Sequence, residues 1–294
     1  MQQLRESLAS AITFLTAGQV PSPRLNAELL LMFTLSRDRA YLFAHPEREL
    51  TADEQARYQS ALAERARGLP TQYITGHQEF WGMDLIVSPA VLIPRPETEH
   101  VIETALALVS EERAGRQDRP HQSLRILDVG TGSGCIALAL AREFLDAEIN
   151  ATDISAAALE IARANAARHQ LENRIQFHQA DLFEGLNIGG LDLIVSNPPY
   201  VGESEEDQVQ LEVRKFEPRH AVFAGRAGTE VIARLIPQAR AALRPRGWLI
   251  MEISGTIAGD TRRLLSGWDD VGIIPDLQLI PRVVRARKPR DSRD

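Results

Sequence analysis

Asn197-Pro198-Pro199-Tyr200 sets an amide, two residues without backbone donors and an aromatic ring in one short run. Adjacent prolines hold the chain extended and remove two N–H groups, so their carbonyls and the asparagine amide form an acceptor-rich rim. A –NH2 group conjugated to a carbonyl or a ring would find acceptors there for both hydrogens. Such an amine is a poor nucleophile, because its lone pair is delocalised. Fixing its N–H bonds and aiming the lone pair at an electrophile is a positioning and electrostatic solution to that problem. The competing reading is a plain diproline surface turn.

A second constellation precedes it: Asp128-Val129-Gly130-Thr131-Gly132-Ser133-Gly134. A glycine turn between a strand and a helix lets the backbone approach a ligand closely. Dinucleotide sites want G-x-G-x-x-G, whereas position 135 is cysteine, so that fingerprint fails. The compressed spacing suits a nucleoside ligand without pyrophosphate, of which S-adenosylmethionine is the common one. The alternative is a purely structural tight turn. Asp153, 19 residues beyond Gly134, stands where an acid can accept from both ribose hydroxyls, and it can equally favour the next helix dipole. Asp181 with Leu182 and Phe183 pairs an acceptor with apolar surface, as an adenine requires, although Asp181 alone reads as a loop residue.

Other chemistries are argued against. The single cysteine, Cys135, excludes an internal disulfide framework and a thiolate zinc cluster, and reads as packing. The seven histidines show no ligand spacing, so no metal is expected. Ser133 lacks the G-x-S-x-G context of a hydrolase nucleophile. With 33 basic and 40 acidic side chains the formal charge is −7, which argues against a surface tracking nucleic-acid phosphates. Glu203, Glu205, Glu206 and Asp207 read as a solvated, mobile loop. Arg282, Arg285, Arg287, Lys288, Arg290 and Arg293 read as a solvated strand end and tail.

The elements that must position these residues fall into three segments. Residues 1–70 look all-helical, with Pro23 in a first turn and a Thr51/Glu54 capping box, and end at Gly68 and Pro70. Residues 1–78 carry eight arginines and eight acids, a neutral module suited to docking a protein. Residues 71–95 alternate loosely through Phe80, Trp81, Met83, Leu85, Val87, Val91 and Ile93, which predicts a hairpin linker. Residues 96–294 hold a helix from Glu97, a polar loop at 114–123, and then strand–helix alternation from Leu124 to a closing strand pair at 272–277 and 283–287. Such alternation implies a mostly parallel sheet with helices on both faces. No apolar run approaches the ~20 residues that span a bilayer, and the N-terminus lacks a signal-peptide core, so a cytoplasmic protein is expected.

Gly-x-Gly-x-Gly, Asp153 and Asn-Pro-Pro-Tyr in this order resemble class I methyltransferases acting on planar nitrogen. Leu92-Ile93-Pro94-Arg95-Pro96-Glu97-Thr98-Glu99 is similar to the signature of bacterial release factor glutamine methyltransferases, as are Phe80-Trp81-Gly82, Glu217-Pro218-Arg219 and Arg282-Val283-Val284. The resemblance covers nearly the whole chain. It implies a Rossmann-like, doubly wound, mostly parallel sheet with an antiparallel last strand, behind a small all-α domain and a β-hairpin. It implies that Gly130, Thr131, Gly132, Ser133 and Gly134 form the cofactor turn, that Asp153 binds ribose, and that Asp181 and Leu182 flank adenine. Asn197, at the edge of the cofactor, and the Pro198 carbonyl would accept from a glutamine side-chain amide, with Pro199 beside them. Tyr200 would wall the slot, and Arg95, Pro96, Glu97 and Thr98 would shape its other side. The implied cofactor is S-adenosylmethionine, leaving as S-adenosylhomocysteine, with no metal. The implied partner of this monomer is a class I peptide-chain release factor, docked by the helical domain. A ribosomal-protein glutamine or nucleic-acid adenine methyltransferase, and an inactive cofactor-binding module, are the alternatives. Ser254 and Leu279 depart from the family pattern, where glycine is usual.

Overall fold

The computed structural model describes residues 2–114 and 123–290, so most of the polar loop expected at 114–123, and Arg293, lie outside it. The chain divides into two compact units, Met1–His77 with Gln210–Phe216, and Gln78–Val209 with Glu217–Asp294.

The first unit packs helices α1 (Leu4–Ala17), α2 (Pro23–Leu35), α3 (Arg39–Ala44), α4 (Ala52–Ala66) and α5 (Thr71–Thr75). Pro23 opens α2 where its missing N–H costs nothing. Thr51 caps α4 in a capping box with Glu54, whose carboxylate accepts the Thr51 N–H at 2.9 Å. Leu4, Leu15, Leu30, Leu31, Leu50 and Tyr58 form the centre of its core. The helical segment Leu211–Phe216, distant in sequence, completes this unit. Arg65, buried on α4, donates to Glu212 at 2.8 Å and to Asn26 Oδ1 at 2.9 Å.

The second unit begins with the hairpin β1 (His77–Phe80) and β2 (Met83–Ile86). Its two central residues, Trp81 and Gly82, both lie at positive φ (52° and 65°), as a type I′ turn requires. The hairpin is narrower than the 71–95 span expected. Thr71–Thr75 instead forms α5, closed by Gly76 at φ 77°. Residues 87–95 alternate because an irregular segment buries Val87, Val91 and Ile93, not because they pair as a strand.

Then follow α6 (Glu99–Ala114), β3 (Arg125–Val129), α7 (Cys135–Glu143), β4 (Glu148–Asp153), α8 (Ala156–Arg168), β5 (Ile175–Gln179) and β6 (Leu191–Ser196). The rest of the chain holds β7 (Val201–Gly202), α9 (Leu211–Phe216, which belongs to the first unit), α10 (Arg219–Val222), β8 (Phe223–Gly225), α11 (Glu230–Ala242), β9 (Leu243–Glu252), α12 (Ala258–Leu264), β10 (Asp269–Pro275) and β11 (Pro281–Arg287). Seven strands form one sheet in the order β10-β11-β9-β6-β3-β4-β5. β9, β6, β3, β4 and β5 are mutually parallel, and the last strand, β11, runs antiparallel to both neighbours. The alternation of side chains along β3 sends Ile126 to one core and Leu127 to the other, so both faces are covered.

The order reverses at β3: the chain lays β4 and β5 on one side and then returns to place β6 on the other. In open sheets of this kind ligands bind outside the carboxyl ends of the strands at such a switch point. Val129, Asp153, Ser196 and Glu252 end β3, β4, β6 and β9 on that edge.

The acidic run takes a definite form while staying at the surface, and the reading of the basic run is corrected. Glu203–Gln208 is a 3-10 turn, in which Glu206 pairs with Arg219 and Glu205 accepts from Gly202 N at 3.3 Å. The basic run of β11 is not solvated. Arg287 pairs with Glu112 at 2.6 Å and stacks on Trp248, and Lys288 donates to Leu243 O at 2.7 Å. The β11 contacts leave no local sequence signal, because Glu112 and Leu243 lie 175 and 45 residues away.

Candidate active site

The glycine turn is pinned from behind. Gly130 N and Thr131 N both donate to Thr152 O on β4, at 2.9 and 2.8 Å. Asp128, fully buried, accepts from the Thr131 hydroxyl at 2.7 Å and from Ala137 N at 3.2 Å through Oδ2. The three glycines do different work. Gly130 (φ 72°) and Gly132 (φ 55°) have open space where a Cβ would stand, so bare backbone faces a cavity. At Gly134 (φ 85°) a Cβ would come within 3.1 Å of Leu138 and 3.3 Å of Ala162, so that glycine lets α7 and α8 pack closely. Asn165 on α8 ties this region to the hairpin by bridging Ile86 N, Ile86 O and Ser133 O at 2.6, 3.0 and 2.9 Å.

The cavity measures about 330 Å³, within the ~300–1,000 Å³ range of small-molecule sites. Gly130, Thr131, Gly132 and Ser133 form its floor, with Asp153 and Ile154 beside them. Asp181, Leu182 and Arg234 lie on its wall, and Thr98, Asn197, Pro198 and Pro199 line it as well. Of the segment before α6, Ala90, Val91, Leu92, Pro94 and Thr98 face the cavity, whereas Arg95, Pro96 and Glu97 do not line it. Arg95 pairs with buried Glu217, whose other oxygen accepts from Ile93 N at 3.2 Å. Pro96 and Glu97 form the 3-10 turn ahead of α6. Tyr200 stands behind the rim and donates to Glu252 at 2.9 Å.

The cavity suits a nucleoside cofactor. Each Asp153 oxygen accepts one backbone N–H, from Gly132 and from Ser155, both at 2.9 Å. An ionised carboxylate offers about four acceptor sites, which leaves lone pairs for two vicinal hydroxyls. The bare glycine backbone admits a ring or chain that a Cβ would exclude. Asp181 is engaged by Arg234 at 2.7 Å across an exposed ion pair.

Burial governs the titratable groups. It pushes Asp128 up to about 7, against the pull of its hydrogen bonds from Thr131 and Ala137. The folded protein therefore holds this proton more tightly than the unfolded chain does. The resulting stability is present below the ordinary carboxylate value and is lost as pH rises through about 7. Relative to Asp128→Asn, the wild type should thus lose stability between pH 4 and 7, whatever the constant offset between them. Urea melts across that range test this, and a flat difference would refute it. Burial likewise pushes the Cys135 thiol up to about 12, leaving an unreactive thiol packed at the turn. Tyr200 is driven well above its ordinary value by burial and by Glu252, so it remains a donor.

Glu252, Arg234 and Glu217 were not singled out from the sequence as site residues. Glu252 carried a signal, being an acid inside the apolar run 248–253, which reads as a buried strand. Arg234 carried none, while Glu217 stood in the family-like Glu217-Pro218-Arg219 run with no role attached to it.

The sheet order, the glycine turn and the acid ending β4 define a class I methyltransferase. Residues 116–215 match the methyltransferase small domain and residues 6–76 the PrmC N-terminal domain. A release factor glutamine methyltransferase of Koribacter versatilis is 54% identical over 287 residues, covering 97% of this chain and 99% of its own. One from Xylella fastidiosa is 41% identical over 284 residues, covering 96% and 99%. The chain belongs to the release factor glutamine methyltransferase family. Among solved structures, the hMettl16 catalytic domain in complex with a MAT2A 3'UTR hairpin aligns with TM-score 0.56 at 18% identity, covering 79% of this chain and 83% of that one. The 16S rRNA N2 G1207 methyltransferase of T. thermophilus, in complex with AdoMet and guanosine, aligns at 0.50 and 19%, covering 72% and 49%. At such identity these two likenesses bear on the fold alone.

Proposed function

We propose that this protein transfers a methyl group from S-adenosylmethionine to the side-chain amide nitrogen of the glutamine in a Gly-Gly-Gln loop of class I peptide-chain release factors. One observation carries the acceptor chemistry. The Asn197 amide uses Nδ2 to donate to the Thr98 hydroxyl at 3.1 Å, which turns Oδ1 away from that contact, at a cavity floored by the glycine turn. An amide acceptor of fixed orientation matches a substrate that presents N–H donors.

Gly130, Thr131, Gly132, Ser133, Asp153, Asp181 and Leu182 would hold S-adenosylmethionine, which would supply an electrophilic methyl on a sulfonium, while Gly134, expected in the cofactor turn, serves helix packing instead. Asn197 Oδ1 and the Pro198 carbonyl accept the two amide N–H bonds and orient the nitrogen. Pro199 holds the rim extended, and Tyr200 bounds the slot. Arg95, through Glu217, and Thr98 fix the facing segment, which Pro96 and Glu97 continue. In a single in-line displacement the nitrogen–carbon bond would form as the sulfur–carbon bond breaks, its electron pair leaving on the sulfur of S-adenosylhomocysteine and the amide proton passing to solvent water. The helical unit, charge-balanced over residues 1–78, docks the factor, and the reaction runs in the cytoplasm. No helix among the described residues is long and apolar enough to cross a membrane.

The test is incubation with methyl-labelled S-adenosylmethionine and, side by side, a release factor, a ribosomal protein and DNA. Label should enter the release factor and vanish when its Gly-Gly-Gln glutamine is replaced. Label in DNA or ribosomal protein alone would overturn the reading.

A further inference from the structure

Glu252 ends β9 with 1% of its surface exposed. Ser196 faces Met251 across the β6–β9 pair, so Asn197 and Glu252 leave the same sheet edge side by side. Its hydrogen-bonded partners are two hydroxyls: Thr98 Oγ1 at 2.6 Å on Oε2 and Tyr200 Oη at 2.9 Å on Oε1. A buried carboxylate so served costs more than a neutral side chain of the same size would, so packing alone does not account for it.

Proton counting does account for it. A threonine hydroxyl has one hydrogen to give. Thr98 gives it to Glu252, so towards Asn197 it can only accept, and only the Asn197 Nδ2 can donate to it. The amide then has one orientation, with Oδ1 left for the substrate. We propose that Glu252 is a positioning residue whose carboxylate, relayed through the Thr98 hydroxyl, sets the polarity of the Asn197 amide and anchors Tyr200 beside it. The inference rests on the methyl-acceptor role given to Asn197 above.

Protonation would reverse the relay. A neutral Glu252 can donate to Thr98, Thr98 to Asn197 Oδ1, and Nδ2 would then meet the substrate amide donor to donor. The groups facing Glu252 set where this happens. Burial and Glu97 raise its proton affinity, while the Thr98 and Tyr200 hydroxyls and Arg282 lower it, and the net direction is up. Cys135, also nearby, stays a neutral thiol. Arg282 is itself held by Asp276 at 2.8 Å.

The first readout needs no activity. In protein labelled with ¹⁵N-asparagine, the Asn197 side-chain signals, identified by their loss in Asn197→Ser, should shift in one step as pH falls through the Glu252 transition. In Glu252→Gln that step should be absent. The second readout is kinetic. Thr98→Val and Glu252→Gln should lower kcat about tenfold or more with the S-adenosylmethionine Kd within about twofold, and Thr98→Ser should retain activity. The acid limb of the kcat profile should disappear in Glu252→Gln. The proposal is overturned if the step persists in Glu252→Gln, if both variants keep wild-type kcat, or if cofactor affinity falls in parallel with kcat, which would mark a structural residue. A wild type that titrates as expected but methylates no release factor sinks the substrate reading and leaves the relay standing.

Discussion

Replacing Asn197 with alanine should lower kcat for methyl transfer by about 10²- to 10³-fold, the cost of removing one preorganised polar group from a reacting centre. The S-adenosylmethionine Kd should stay within about twofold. The split follows from the geometry. The cofactor turn is pinned by Thr152, Asp128 and Asp153, none of which bonds to the Asn197 side chain. What the variant loses is Oδ1, the acceptor that orients the amide nitrogen. Truncation also strands the Thr98 hydroxyl, which keeps its own bond to Glu252, so the wall should survive. Single-turnover rates beside calorimetric affinities make the measurement. A variant turning over like the wild type would remove Asn197 from the mechanism.

The second large effect is expected on binding. Asp153→Ala should weaken S-adenosylmethionine affinity by ~1.5–3 kcal/mol, the scale of hydrogen bonds to a charged group. Two losses combine in it. The ribose hydroxyls lose their acceptor, and Gly132 N and Ser155 N lose theirs, so the turn slackens as well. Asp153→Asn separates them in part, since one amide oxygen can serve only one of the two N–H groups. It should fall between alanine and wild type. Calorimetry decides, and an unchanged dissociation constant for Asp153→Ala would sink the ribose assignment.

What the sequence disclosed and what it hid differ in physical kind. Gly130–Gly134, Asp153 and Asn197–Tyr200 were legible because each lies where a short apolar run stops, so the strand end and the chemistry share a few residues. The parallel sheet was legible through the same alternation. Glu252 was hidden because its meaning is in its partners, Thr98 and Tyr200, 154 and 52 residues away. Glu217 was visible in the Glu217-Pro218-Arg219 run, but its pairing with Arg95 across 122 residues was not. The hairpin is narrower than the spacing predicts because Val87, Val91 and Ile93 are spaced like a strand while packing as an irregular segment. Leu279, marked as a departure from glycine, sits at φ 63°, a conformation glycine adopts without steric cost. Ser254 is extended and needs no such freedom.

The segment Gln210–Phe216 belongs to the helical unit although it arises between two parts of the other. The polypeptide therefore passes from one unit to the other three times, after residues 77, 209 and 216. Recombination that exchanged residues 1–77 alone would remove Arg65 from Glu212, and Gly68 from the Phe216 ring that lies against it. The recipient would inherit a mismatched complement downstream of its Asn-Pro-Pro-Tyr run. A single crossover after residue 77 therefore does not move the helical unit whole, because seven of its residues are encoded after the Asn-Pro-Pro-Tyr run.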